Sequence, residues 1–287
     1  MNTNPPCDVA PAFRRRPPDA NKRTVGVVTV VGGSGRYLHA PVIAGLGARA
    51  AGAGLVQLVV PDASRIAAGA LVPEATFVKL TPTCVPPKAD TTVIGMGLGT
   101  TTSAQVVLTR TLSGSAGRFV VDADALAILA NWYAKEGGYD PAAGQELVFT
   151  PHEGEAARLL GWKAEDVHAD RRRAAAEIAA RYGATVVLKG RGTLVASKDG
   201  SRIYENSTGN PDMALGGMGD LLAGVIGARW AYLGGDAFLA AAAAVWLHGA
   251  AADALAADGG DPSLANTAAK IGSMRAHFDR NSQGDAT

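Results

Sequence analysis

The chain has 287 residues, 47% hydrophobic and 18% charged, with a formal net charge of +1. That is apolar material for one large α/β domain or two small ones, and no Pro/Ser-rich or charged linker follows residue 24, so a single domain over 22–280 is expected. The charge is uneven: residues 1–23 carry a net +3 through Arg14, Arg15, Arg16, Lys22 and Arg23, leaving −2 on the remainder, which argues against a nucleic-acid surface and makes residues 1–21 read as a disordered, solvated basic tail.

Taken in order, the first residues lack the apolar core of a signal peptide. Cys7 and Cys84 offer neither a disulfide framework nor a metal site, in keeping with a reducing cytoplasm. Short β-branched runs then alternate with alanine-rich helical segments: a strand over 25–31, a helix over 41–53, and further strands at 55–60, 92–95, 119–122, 147–150, 185–188 and 193–197. Strands that are apolar throughout are buried on both faces, so the expected architecture is a three-layer α/β/α domain with a mainly parallel sheet. The last two strands flank 190–192 and predict a hairpin, hence a small antiparallel edge. Residues 221–232 predict a buried helix in which only Arg229 is charged. The stretch 237–252 is alanine-rich, short and holds His248, so it does not predict a membrane span. Residues 281–287 read as a frayed end.

The candidate site collects at the carboxyl ends of the strands, where open α/β sheets bind their ligands. Gly32 to Gly35 follow the first strand, and Gly95-Met96-Gly97-Leu98-Gly99 follow another. Asp122 and Asp124 end a third, Pro151-His152-Glu153 a fourth and Lys189-Gly190 a fifth. The first glycine run has the wrong spacing for a dinucleotide fingerprint, and no Walker loop occurs. The run N-S-T-G-N-P-D-M-A-L-G-G-M-G-D from Asn206 sets Asp220 behind Gly216, Gly217 and Gly219, at the predicted start of the buried helix. Unpaired N–H groups and a positive dipole end favour a phosphate there, and the adjacent aspartate can take a proton from a hydroxyl. Together these features point to phosphoryl transfer. Lys189-Gly190-Arg191-Gly192-Thr193 suits a turn in which an amine and backbone N–H groups meet phosphate. His152 is either a ligand contact or a structural residue. Glu155 is either near a magnesium ion or a solvated helix residue, and His248 reads as a packed residue.

In order, G-S-G-R-Y-x-H-A, I-G-M-G-L-G, V-D-A-D-A-L, F-T-P-H-E-G-E, V-L-K-G-R-G-T and N-x-x-G-N-P-x-M-A-x-G-G-x-G-D resemble the ADP/ATP-dependent NAD(P)H-hydrate dehydratases, a ribokinase-like family, over roughly 22–278. The resemblance implies repair of hydrated nicotinamide cofactors, the S epimer being dehydrated at the expense of ADP or ATP with Mg2+. It implies that Asp220 activates the ring hydroxyl and that Ala40, Gly97 and His152 line the hydrate site. Lys189, Gly190, Arg191, Gly192, Thr193, Gly217 and Gly219 would then serve the nucleotide. Met218, Met96 and His39 depart from the family pattern, which has a small hydroxyl residue, proline and glycine there. The epimerase domain fused ahead of many bacterial members is missing from this sequence, so a separate epimerase is the expected partner. Alanine-rich helices pack between subunits as readily as within one, so a homo-oligomer stays open. The nearest alternative is a sugar or vitamin kinase of the same fold; a non-catalytic nucleotide sensor is a second.

Overall fold

The computed structural model describes residues 4–113, 116–136 and 144–282. Of the end expected to fray, residues 283–287 lie outside the described residues. Among the described residues, nine strands form one sheet: β1 (Val27–Val31), β2 (Leu55–Val60), β3 (Thr76–Lys79), β4 (Thr91–Ile94), β5 (Gly117–Val121), β6 (Gln145–Phe149), β7 (Thr185–Leu188), β8 (Leu194–Ala196) and β9 (Ile203–Glu205). Their order is β3-β2-β1-β4-β5-β6-β7-β8-β9, parallel as far as β7 and antiparallel for the last two pairings. The antiparallel edge is the expected hairpin extended by one strand. Neither β3 nor β9 is legible beforehand, because both are edge strands of three or four residues without a continuous apolar run.

Both faces of the sheet are covered, and the pleat explains how. Val28 and Val30 of β1 pack on one side while Val31 packs on the other; in β5, Val120 faces the first side and Phe119 and Val121 the second. The first side holds α1 (Ala40–Ala50), α8 (Met218–Leu233), α9 (Ala237–Ala257) and α10 (Leu264–Asn281). The second holds α3 (Thr102–Ser113), α4 (Asp124–Glu136), α5 (Glu153–Leu160) and α7 (Arg171–Tyr182). The short α2 (Ser64–Leu71) and α6 (Ala164–Ala169) complete the described helices of four turns or fewer. This is the expected three-layer α/β/α arrangement. Helix α9 has the length and composition of a membrane span, yet 72% of its apolar window is buried inside the protein.

Helices α1 and α8 meet backbone to backbone. A Cβ at Gly224 would lie 1.8 Å from the Ala44 carbonyl oxygen, and one at Gly47 would lie 2.1 Å from that of Leu221. Only glycine permits that approach. It brings the N-termini of the two helices side by side, with Ile43 of α1 packed against Gly217 at the start of α8. The sheet supplies the rest of the site. Chain order reverses between β1 and β4, so a crevice opens at their carboxyl ends, next to the two helix starts.

The basic arm is not a solvated tail. Residues Ala10–Ala12 form a turn of 3₁₀ helix, and Val9, Ala12 and Phe13 are buried in the same core as α8, α9 and α10. The Phe13 ring meets Trp246 and Phe278 edge-on, with centroids 5.6 and 5.4 Å away. The Ala12 carbonyl accepts a hydrogen bond from the guanidinium of Arg229, which is 1% exposed and paired with Asp279 at 3.3 Å. Arg16 donates to the Gly52 carbonyl at 2.6 Å, and the Tyr232 hydroxyl donates to the Arg14 carbonyl at 3.1 Å. Composition misleads here because three apolar side chains suffice when the buried Arg229 also needs an acceptor.

Candidate active site

Asp220 occupies the first turn of α8, whose N-cap is Gly217 in the left-handed region at φ 95°. With glycine at the cap and at Gly216 and Gly219, no side chain among the described residues caps the helix; the Met218 N–H turns back to the Leu215 carbonyl at 3.3 Å, and the N–H groups of Gly219 and Asp220 remain free for an anion. Lys189, at the end of β7, reaches across the sheet to this point: its Nζ lies 3.4 Å from where a Cβ of Gly219 would stand. The amine donates to Asp122 Oδ1 at 2.8 Å and sits 3.9 Å from Glu155 Oε2. Asp122 is 1% exposed and also accepts from the Thr150 hydroxyl at 2.7 Å. Between Asp122 and Asp124, Ala123 adopts a positive φ of 51°. This turn lets both acids serve: Asp122 takes Lys189, while Asp124 accepts the Gly99 N–H at 2.8 Å and ties the β4 loop to the start of α4.

Three carboxylates, Asp122, Glu155 and Asp220, thus act on one partly buried lysine. Burial works to lower the Lys189 pKa, but Asp122, Glu155 and Asp220 outweigh it and hold the amine charged. One positive charge cannot neutralise three negative ones in a poorly solvated place. Burial, followed by Asp122, pushes Asp220 up to about 7, with Lys189 opposing. Burial also raises Glu155, again against Lys189. Asp220 is therefore poised near neutrality, where a general base is most effective.

His152 is a helix cap. Its Nδ1 accepts the N–H groups of Gly154 and Glu155 at 3.0 and 3.3 Å, and Glu155 returns a bond to the His152 N–H at 2.8 Å, closing a capping box. The ring remains half exposed, with Nε2 3.5 Å from Glu155 Oε1. Structural and binding roles are compatible, since the cap uses one nitrogen and sets the orientation of the other. Glu155 is not a solvated helix residue: at 8% exposure it joins His152 to the Lys189 cluster.

Ala40 opens α1 and lies beside Gly97. A Cβ on Gly97, at φ 64°, would stand 3.4 Å from that of Ala40 and 2.5 Å from that of Tyr37. This pair marks the crevice between β1 and β4. A second hollow of about 1160 Å³ lies on the other side of Lys189 and is lined by Lys189, Gly190, Arg191, Gly192, Thr193 and Gly219. The residues expected to serve the nucleotide therefore share one cavity, apart from Gly217, which packs on Ile43 and Leu264. Ala40, Gly97, His152 and Asp220 lie outside it. Lys189 and Gly219 line this cavity, and Lys189 also joins the cluster of Asp122 and Glu155. The remaining wall comes from the 205–214 segment, from Met218 and Leu222 of α8, and from α9, including His248. Sequence reading missed most of this wall. The Asn206-to-Pro211 part of the glycine-rich run was the available signal.

The departures from the family pattern have simple places. Met218 is buried in the first turn of α8 against the cavity, Met96 is fully buried in the core, and His39 precedes α1 without a side-chain cap bond.

A family model described as NAD(P)H-hydrate dehydratase matches residues 28–273. The ADP-dependent (S)-NAD(P)H-hydrate dehydratase of Neisseria meningitidis serogroup B is 42% identical over 246 residues, covering 85% of this chain and 81% of that protein. The bifunctional NAD(P)H-hydrate repair enzyme of Thermanaerovibrio acidaminovorans is 38% identical over 84% of this chain, which spans about half (48%) of that longer protein. The Bacillus subtilis ADP/ATP-dependent NAD(P)H-hydrate dehydratase, crystallised with ATP/Mg2+, superposes with a TM-score of 0.83 at 27% identity, covering 94% of this chain and 96% of that one. The match extends over both helical layers and the sheet between them, with the Asp220 turn and the Lys189 cluster inside it, and the chain belongs to the NAD(P)H-hydrate dehydratase family.

Proposed function

We propose that this protein dehydrates the S epimer of NAD(P)H hydrate to NAD(P)H, using ADP or ATP. The observation that carries the reading is Asp220, raised to about 7 at a helix start with free N–H groups, directly after Gly219 of the cavity wall and within the field of Lys189. In this reading the hydrate ring enters beside Ala40, Gly97 and His152, and the nucleotide phosphates lie along 189–193 and Gly219. Asp220 accepts the proton of the ring hydroxyl as its oxygen attacks the terminal phosphoryl group. The oxygen–phosphorus bond to the nucleotide breaks, releasing AMP from ADP or ADP from ATP. Loss of the new phosphate ester as inorganic phosphate, with a proton from the neighbouring ring atom, restores the double bond. Free N–H groups at the start of α8 and the Lys189 charge stabilise the transferring group.

Mg2+ is part of this proposal. Among the described residues no group of three or more His, Cys, Asp or Glu side chains could hold an ion by itself. The donor set fits an ion carried mainly by phosphate oxygens and water, with one carboxylate of the Asp122, Glu155 and Asp220 group completing it. Bound there, the ion would neutralise charge on the phosphates.

A separate epimerase working on the same substrate, a cytoplasmic location and self-association belong to the same proposal; the fused arrangement of the bifunctional relatives supports the first. The test is incubation with NADH hydrate and either nucleotide. Recovery of the reduced-ring absorbance with stoichiometric phosphate release is expected. A phosphorylated product that accumulates instead would make the protein a small-molecule kinase.

A further inference from the structure

His248 lies in the middle of α9, in the wall of the large cavity, and is 6% exposed. Its Nε2 is sealed from solvent without a hydrogen-bond partner, and among the described residues Nδ1 has none either. Two polar side chains of the adjoining loop and helix, Thr208 and Asp253, are engaged elsewhere. The Thr208 hydroxyl shares its one proton between two acceptors, the Trp246 carbonyl and Asn206 Oδ1, each 3.0 Å away, while Asp253 accepts from the Gly209 N–H at 2.8 Å and the Asn210 amide at 2.9 Å. These bonds fasten the 206–210 loop onto α9 and leave the imidazole between them unused. Nε2 is closed off from any ligand, so the nitrogen with unused hydrogen-bonding capacity toward the cavity is Nδ1.

We infer that His248 reads the base of the bound nucleotide, its Nδ1 hydrogen-bonding the edge of the purine. This rests on the proposed nucleotide site and adds a specificity-determining residue to it. The phosphate-binding end of the cavity is at Lys189 and Gly219. The cavity also carries Leu222, Val245 and Met213, apolar side chains suited to the faces of a flat ring, and Gly209 stands between Met213 and Gly249, the residue after His248. Burial holds the imidazole down to about 4, so it is neutral at physiological pH and offers a hydrogen bond rather than a charge. A neutral group in an apolar wall matches a base and not a phosphate. Nδ1 is the nitrogen left to the cavity, since Nε2 is sealed.

The test is calorimetric titration of the full chain and of His248→Phe and His248→Asn with ADP, 2′-deoxy-ADP and pyrophosphate. His248→Phe is expected to weaken ADP and 2′-deoxy-ADP alike by roughly tenfold, the value of one hydrogen bond, and to leave pyrophosphate unchanged. His248→Asn, which keeps a polar group near the Nδ1 position, should retain most of the affinity. Because the histidine is unpartnered, His248→Phe should melt no lower than the unsubstituted protein in the absence of nucleotide. Unchanged ADP binding in His248→Phe overturns the inference. So does a loss confined to ADP, which would place the contact on the ribose, or an equal loss for pyrophosphate, which would indicate a disturbed cavity. Failure of the unsubstituted protein to bind ADP would overturn the nucleotide site itself and this inference with it.

Discussion

At the scale of single residues, Asp220 and Lys189 behave as a coupled pair, and each controls what the other can do. Asp220 must be ionised to act as a base, so kcat/KM is expected to rise with pH through about 7 and level off above it. Lys189 is the cation that holds Asp220 down against burial and Asp122. Lys189→Met should therefore move the rising limb to higher pH, as well as weaken nucleotide binding. It also leaves Asp122 buried and unpaired, a change that typically costs about 3–5 kcal/mol. A limb that stays in place would separate Lys189 from Asp220. Asp220→Asn is expected to lower turnover by about a hundredfold or more while keeping nucleotide affinity. The same substitution should raise the melting temperature at pH 8. A carboxyl whose folded pKa lies above its unfolded value destabilises the fold increasingly as pH rises from about 4 to about 7, and the amide removes that penalty. Melting at pH 8 and pH 4 checks this, since the gain should vanish at the lower pH.

At the scale of elements, the relation between α1 and α8 sets the distance between the hydrate crevice and the phosphate-binding turn. Gly224→Ala would place a methyl carbon 1.8 Å from a backbone oxygen, which no rotamer change can relieve. The helices would have to separate, and a loss of about 3 kcal/mol or more is expected. Turnover should fall with stability, because the shift displaces Asp220 relative to Ala40 and Gly97; denaturant melts and kcat together check this. Gly224 falls inside the predicted buried helix over 221–232, four residues after Asp220, and no local pattern marks its contact with Ala44. Sequence spacing shows where a strand ends and a helix begins, which is why Asp220, Lys189, Gly97 and the hairpin were all placed at strand ends or helix starts. Partner choice across the sheet depends on which strands are neighbours. The Lys189–Asp122 pair joins residues 67 apart, and the Glu155 environment depends on β6 standing beside β7. No local pattern announces either.

At the scale of the whole molecule, the N-terminal arm changes what counts as the domain. Its composition, rich in arginine and proline, describes an average over residues, while docking is decided by three of them, Val9, Ala12 and Phe13, and by the Arg229 guanidinium they cover. The arm packs on α8, α9 and α10, and although Phe13 meets Trp246, two residues from His248, no arm residue lines the cavity, so its contribution should fall on stability rather than chemistry. Phe13→Ala removes an aromatic ring packed against Trp246 and Phe278 and is expected to cost about 3–5 kcal/mol. Deleting residues 1–20 removes the same ring and also takes the carbonyl partner from Arg229, leaving a buried cation with Asp279 as its remaining acceptor. The truncated protein is expected to melt lower by roughly ten degrees or more, given about 2–4 °C per kcal/mol for a domain of this size. Its nucleotide KM should be unchanged at a temperature where it stays folded. Equal melting temperatures for the full and truncated chains would show that the arm detaches in solution and that Arg229 finds another acceptor.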